Sequence, residues 1–302
     1  MFYQLKDKYR RLRFQLACRF ILNSKPVTLA SCSDVAIITQ LQHKDILLAL
    51  IAIKTFCAQV PVGSIHILND GSLTSKDVCL LGKHFQNVTF HSMSTARSSH
   101  CPTGGCWERL LTIAELVKTN YVIQLDSDTL TLTKLTEVVE CINTNTSFVI
   151  GTWDNQEFES MPERQEQASK VASNSSGKLH IQVTVEASFN KIKRFNELRY
   201  VRGCAGFSGF GKQSFDQNFI DEISWQMFDA LGNRWREWGS EQVMSNIVIA
   251  NTKNNYVLPH PKYCDCTKIN KGKTVFIHFI GSCRFSGGIY ARLARKATSG
   301  LG

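Results

Sequence analysis

From Asp34 onward the chain alternates short apolar runs of strand length with stretches whose apolar residues recur at helical spacing. That alternation confines it to an α/β layer structure built on a mainly parallel sheet. Val35-Ala-Ile-Ile-Thr39 has the continuous apolarity of a strand buried on both faces. Ile46 to Phe56 reads as a helix, Pro61 and Gly63 punctuate, and Ser64 to Gly71 gives a second strand that ends in a turn. The pattern predicts a helix over 74–85 capped by Ser72 or Thr74, a strand over 88–91, and a loop at Cys101-Pro-Thr-Gly-Gly-Cys106. A helix from Trp107 to about Lys118 precedes the strand Tyr121-Val-Ile-Gln-Leu125, which runs directly into Asp126-Ser127-Asp128.

Past Ile150 the periodicity fades. Residues 155–180 are polar and predict a mobile loop, either a lid or a plain insertion. Regular structure resumes over Ile181 to Val185 and is followed by a glycine-rich run, Gly203 to Gly211. Helices are expected over 215–231 and 241–250, and a last strand over Thr274 to Phe279. This divides the chain into a basic amphipathic arm (1–33), one large domain (34–288) and a basic tail (289–302).

With 43% hydrophobic and 20% charged residues, the 302-residue chain has the composition of a globular protein, not of a disordered or collagen-like one. Its 35 Lys and Arg exceed its 25 Asp and Glu by ten, and much of the excess lies at the ends. In the arm, Lys6, Lys8, Arg10, Arg11, Arg13, Arg19 and Lys25 are interleaved with Phe2, Tyr3, Leu5, Tyr9, Leu12, Phe14 and Leu16. Such a segment suits either an anionic bilayer surface or packing on the protein body. No apolar run approaches the roughly 20 residues of a spanning helix, and Arg19 interrupts the only candidate signal segment. Eleven cysteines, an odd and sparse set, read as unpaired thiols in a reducing compartment. The expected location is therefore cytoplasmic, peripheral on the inner membrane face, where the Asn-x-Ser/Thr matches at Asn87, Asn145 and Asn174 carry no meaning.

Three constellations carry chemistry. Asp126 and Asp128 end an apolar strand, where ligands of open α/β sheets bind, and paired carboxylates suit Mg²⁺ or Mn²⁺ bridging a diphosphate. His278, in His278-Phe-Ile-Gly281-Ser-Cys-Arg284, reads as a metal ligand followed by a close-approach glycine and a phosphate-matched guanidinium. Glu241 and Gln242 stand at a helix start, where Ser240 is equally well placed as an N-cap. Cys264-x-Cys266 with Cys283 and His260 fits no standard zinc spacing and reads as scattered thiols.

Together these motifs resemble the retaining glycosyltransferases of the glycogenin and lipopolysaccharide galactosyltransferase type, as a bacterial member with a GT-A nucleotide-sugar fold. The resemblance covers roughly residues 35–288. Trp107-Glu-Arg109-Leu110 is similar to the family's aromatic-x-Arg-Leu helix start, and Asp126-x-Asp128 to its metal motif, with Ser127 between. Cys204-Ala-Gly206 stands where the family has Asn-Ala-Gly. Glu241-Gln242 followed by Asn246 matches its Asp-Gln pair and Asn, and His278-x-x-Gly281-x-x-Arg284 its His-x-x-Gly-x-x-Lys.

The resemblance implies a metal site of Asp126, Asp128 and His278, and donor contacts from Thr39, Gln40, Asp70, Trp107, Arg109, Ser127, Gly281 and Arg284. Glu241 and Gln242 are the implied catalytic pair. It implies Mn²⁺ or Mg²⁺, a UDP-sugar donor by default, a glycan or lipid-linked acceptor, and transfer of a hexose. Thr39-Gln40-Leu41 replaces the acidic residues that read the base, and Ile67-Leu-Asn-Asp70-Gly-Ser72 looks instead like the Asp-Asp-Gly-Ser turn of inverting, processive-type enzymes. In a retaining enzyme Glu241 and Gln242 position the sugar; in an inverting one Glu241 is the general base.

Two other classes compete. Haloacid-dehalogenase-type phosphohydrolases place Asp-x-Asp on an early strand, with Thr or Val two residues after the second Asp; here Leu130 stands there and about 125 residues precede the pair. A noncatalytic, membrane-associated module with a degenerate transferase body is the other. No nucleic-acid partner is expected, because the sequence carries no nucleic-acid recognition motif.

Overall fold

The computed structural model describes residues 2–300. Met1, Leu301 and Gly302, at the ends of the expected arm and tail, lie outside the described residues, as do the side chains of Phe2, Tyr3 and Leu5. The first half of the chain forms α1 (Phe2–Cys18), β1 (Val35–Leu41), α2 (Ile46–Cys57), β2 (Ser64–Asn69), α3 (Ser75–His84), β3 (Val88–Ser92), α4 (Trp107–Leu116), β4 (Tyr121–Leu125), β5 (Thr129–Thr131), α5 (Thr136–Asn143) and β6 (Ser147–Ile150). The second half adds β7 (Glu159–Ser160), α6 (Met161–Ser173), α7 (Ile181–Ala187), β8 (Arg199–Tyr200), β9 (Cys204–Phe210), α8 (Gln217–Leu231), α9 (Ser240–Ala250), β10 (Asn255–Leu258), β11 (Tyr263–Asp265), β12 (Phe276–His278) and α10 (Ile289–Thr298).

The seven-stranded central sheet runs β10-β6-β9-β4-β1-β2-β3. β1 to β4 are mutually parallel, β10 is parallel to β6, and β9 alone is reversed, antiparallel to both β4 and β6. This is the helix-flanked, mostly parallel α/β sheet that the sequence leads one to expect. Alternate residues of the strands feed two cores. Ile37 and Ile123 point to one with α2, and Ile38 and Val122 to another with α4, α8 and α9. β4 is buried along its whole length because both faces are covered. α2 is apolar nearly all round for the same reason: it lies between the sheet, β5 and α10. A smaller sheet, β11-β12-β5, closes one end.

At the start of α3, Thr74 is the N-cap, in a capping box with Asp77. Elsewhere the structure departs from the sequence expectations. Residues 155–180 contain α6, started by a second capping box, Ser160 with Glu163, and anchored by buried Met161, Arg164 and Ala168. With so few buried positions the apolar stripe is too sparse to read, although the cap is plain. The glycine-rich run is the central strand β9, where glycine is needed for proximity: a Cβ at Gly209 would lie 2.2 Å from the Phe148 ring.

The arm and tail are two packed helices. Phe14 of α1 lies 4.8 Å from the Tyr290 ring and 5.3 Å from that of Phe285, and Arg295 of α10 donates to the Ala17 carbonyl. Tyr9, Leu12 and Leu16 remain exposed. No helix among the described residues is long and apolar enough to cross a membrane. The expectation of unpaired thiols is corrected at one place: Cys266 and Cys283 form a disulfide, with Cα atoms 6.2 Å apart. These two thiols are 17 residues apart in sequence, and only the return of β12 alongside β11 brings them together. The other nine cysteines are free.

Candidate active site

The parallel strands β1, β2 and β4 end at one edge of the sheet, and so place Gln40, Asp70 and Asp126 along it. After Leu125 the chain turns through Asp126-Ser127-Asp128, held by the Asp126 amide donating to the Gly206 carbonyl and by Thr129 donating back to the Asp126 carbonyl. It then enters β5, which pairs antiparallel with β12 so that Thr129 faces His278. The Phe279 amide donates to the Asp128 carbonyl at 2.8 Å and fixes this register.

The outcome is a cluster. One ligand atom from each of Asp126, Asp128 and His278 lies within 4.8 Å of the others, the only such group among the described residues. His278 Nε2 is 3.2 Å from Asp128 Oδ1 and 3.7 Å from Asp126 Oδ2. On its other side His278 Nδ1 is 3.1 Å from Cys204 Sγ. If Nδ1–H donates to that sulfur, Nε2 presents its lone pair to the carboxylates, the arrangement in which ligating imidazoles are usually held. Burial opposes charge on His278, but Cys204 and Asp128 beside it raise its pKa well above the usual value. Burial likewise opposes charge on Asp128, yet His278 and Arg284 hold its carboxyl below the usual range. Two hard carboxylates with one imidazole match the donor preferences of Mn²⁺ and Mg²⁺.

Two guanidiniums flank the cluster. Arg109, in the first turn of α4, pairs with Asp126, and Arg284 pairs with Asp128. Gly281, whose φ of +43° is in the left-handed region, turns the chain from β12 back toward Arg284. Arg109 is 4% exposed and also lies 3.7 Å from Glu241 Oε1 in the first turn of α9. At that distance Glu241 Oε1 has no hydrogen-bond partner, and neither do Arg109 Nε, Gln40 Oε1, Thr39 Oγ1 and Asn246 Oδ1. Buried polar atoms left in this state are costly unless a ligand satisfies them. Burial raises the Glu241 carboxyl from 4.5 to about 7, with Arg109 only partly opposing and Asp126 adding to the rise.

Other expected residues have structural duties. Trp107 is 1% exposed; it packs edge-on against Trp235 at 5.4 Å and donates to Ser240 Oγ at 2.9 Å, so its side chain is core. Ser240 is therefore the acceptor for Trp107 and not an N-cap; the cap position belongs to Gly239, at φ +101°. Gln242 Oε1 accepts from the Ala205 amide at 3.4 Å, and Asn246 donates to the Gly203 carbonyl at 3.0 Å, so both brace the start of β9. Asp70 Oδ1 accepts from the amide and hydroxyl of Ser72 in its own turn. Ser127 is half-buried in the turn between the two aspartates. Of the residues set aside as a zinc site, His260 pairs with Asp154, and Cys266 with Cys283.

Two further contributors stand on β9: Cys204 touches His278, and Gly206 leaves the room that the His278 ring fills. The glycine motif was legible, but its partner 70-odd residues away was not.

No protein-family model and no curated protein sequence matches this chain. Among solved structures, the chain is similar to the apo bifunctional glycosyltransferase WbbM, with TM-score 0.49 and 14% identity over 90% of this chain. It spans 53% of WbbM, about half its length. It is also similar to mouse xyloside xylosyltransferase 1 (TM-score 0.46, 13% identity, 84% of this chain and 98% of that one). A third is the galactosyltransferase LgtC in complex with donor and acceptor sugar analogs (0.44, 12%, 87% and 95%).

Proposed function

We propose that this chain is a metal-dependent glycosyltransferase that moves a hexose from a nucleotide-diphosphate-sugar, a UDP-sugar by default, to a glycan or lipid-linked acceptor. The observation that carries the reading is the convergence of Asp126, Asp128 and His278 at the carboxyl edge of the sheet, between Arg109 and Arg284. Residues 34–288 form the catalytic body, and 155–180 an insertion on it.

Asp126, Asp128 and His278 would hold Mn²⁺ or Mg²⁺, which would supply positive charge to a departing diphosphate. Arg109 and Arg284 exchange their carboxylate partners for phosphate oxygens and spread the developing charge over two further cations. Thr39, Gln40 and Asp70, at the ends of β1 and β2, lie where the nucleoside is received. In this reading Glu241, and Gln242 once released from the Ala205 amide, hold the donor sugar from the start of α9. A carboxyl near 7 is suited to take a proton from an attacking hydroxyl, which favours the second reading, an inverting enzyme with Glu241 as base. Anomeric analysis of the product separates the two.

Thermal stabilisation by a panel of nucleotide-sugars, each with and without Mn²⁺, tests the proposal, because a ligand of the folded state raises its stability. A shift that requires both metal and one particular donor is the expected result. Absence of any shift in folded protein points to a noncatalytic body or to a donor outside the panel.

A further inference from the structure

α1 and the segment after β12 enclose a cleft of about 470 Å³ beside the metal cluster. Lys6, Arg10, Arg13 and Arg284 line it, and Phe14 and Tyr290, 5% and 1% exposed, underlie it as an apolar floor. The three cations of α1 are four and three residues apart, which sets them on one helix face. No ion pair among the described residues engages Lys6, Arg10 or Arg13, whereas Arg11, on another face, pairs with Asp45 at 2.8 Å. The floor is rigid and apolar: Phe14 packs against Phe285 and Tyr290, and Tyr290 stacks on Phe279 at 3.9 Å. Gly287 and Gly288, at φ +63° and +66°, also line the cleft without side chains and keep it open.

Uncompensated like charges beside an apolar floor are complementary to one kind of molecule, an anionic head on an apolar body. Phosphate fits the head, since guanidiniums bind its oxygens in pairs. The concavity distinguishes a single inserted molecule from a flat bilayer surface. We infer that this cleft binds a phosphate-bearing amphiphile, its phosphate against Lys6, Arg10 and Arg13 and its apolar part on Phe14, Phe285 and Tyr290. Because Arg284 reaches from the cleft to Asp128, the ligand is delivered to the edge of the catalytic cluster. Its role as the acceptor rests on the transferase reading above; its binding does not.

Calorimetry with decyl phosphate below its micelle concentration, in metal-free buffer without donor, tests the binding. Decyl phosphate should bind at one saturable site at least about tenfold more tightly than inorganic phosphate, because burying two methylenes alone is worth about that factor. Arg10→Gln/Arg13→Gln, a change of one exposed and one half-buried residue, should weaken decyl phosphate about tenfold or more, through loss of charge-assisted contacts. The same variant should keep its melting temperature and its response to donor and Mn²⁺. Equal affinity for inorganic phosphate overturns the amphiphile, and unchanged affinity in the variant overturns the site. Binding to phosphatidylglycerol vesicles without binding of monomeric decyl phosphate assigns α1 to a membrane surface instead. The donor panel reports on the transferase reading separately, so failure of one is distinguishable from failure of the other.

Discussion

Gly206 and His278 share one space: a Cβ built on Gly206 would lie 2.0 Å from His278 Cε1 and 2.6 Å from Nε2. The imidazole reaches Asp126 and Asp128 only because position 206 has no side chain.

Gly206→Ala should therefore expel the ring while leaving most of the fold intact. Displacing a ligand from its oriented position costs about 10- to 100-fold in metal affinity, and overpacking adds about 1–3 kcal/mol of destabilisation. Titration of Mn²⁺ followed by electron paramagnetic resonance checks the first, and thermal unfolding the second. Wild-type affinity in this variant would show that His278 is not a ligand.

Asp128→Ala and His278→Ala should each remove metal-dependent turnover. Metal affinity of the wild type should also fall on acidification, since a ligating imidazole must shed the proton that Cys204 and Asp128 favour on it. Metal-dependent turnover that survives either substitution would dissolve the assignment of the cluster.

Glu241 makes stability depend on pH in a definite direction. A carboxyl whose folded value exceeds its unfolded one favours folding while protonated, so its contribution is present at low pH and lost as pH rises from 4.5 toward about 7. The shift corresponds to about 3 kcal/mol at about 1.36 kcal/mol per unit. With metal chelated, the wild type should lose about that much stability relative to Glu241→Gln between about pH 5 and pH 8. Denaturant unfolding across this range measures it; parallel profiles would contradict the raised value.

The Cys266–Cys283 bridge closes a short loop whose far end is the turn carrying Arg284, and the Cys266 amide also donates to the His278 carbonyl at 3.0 Å. Loss of the bridge frees that loop in the unfolded chain, a cost of about 3 kcal/mol on chain-entropy grounds. Cys266→Ser/Cys283→Ser should unfold at lower denaturant, and a thiol reductant should bring the wild type to the same midpoint while leaving the variant unmoved.

What the sequence discloses depends on whether a residue's reason is local. β1, β2 and β4 are legible because burial on both faces leaves uninterrupted apolar runs, and Asp126 and Asp128 because they follow such a run directly. β9 is hidden: the glycines at 206 and 209 answer to His278 and Phe148, partners on other elements. Trp107 looks like a ligand contact until its indole is found bonded to Ser240. The pairing of Cys266 with Cys283 follows from the β11–β12 register, which no cysteine spacing encodes.

The reversal of β9 has a consequence for how the molecule is made. Gln124 and Ala205, joined across β4 and β9, are 81 residues apart, and Cys204 and His278 are 74 apart. None of the cluster's neighbours is supplied by its own hairpin, so the closing of long loops must precede any metal affinity. During refolding, or on a ribosome, the chain would be unable to hold a metal ion at this cluster until nearly all of it has been threaded into place. Metal capture at this cluster would thus mark completion of the sheet, and no N-terminal fragment that ends before His278 would show it.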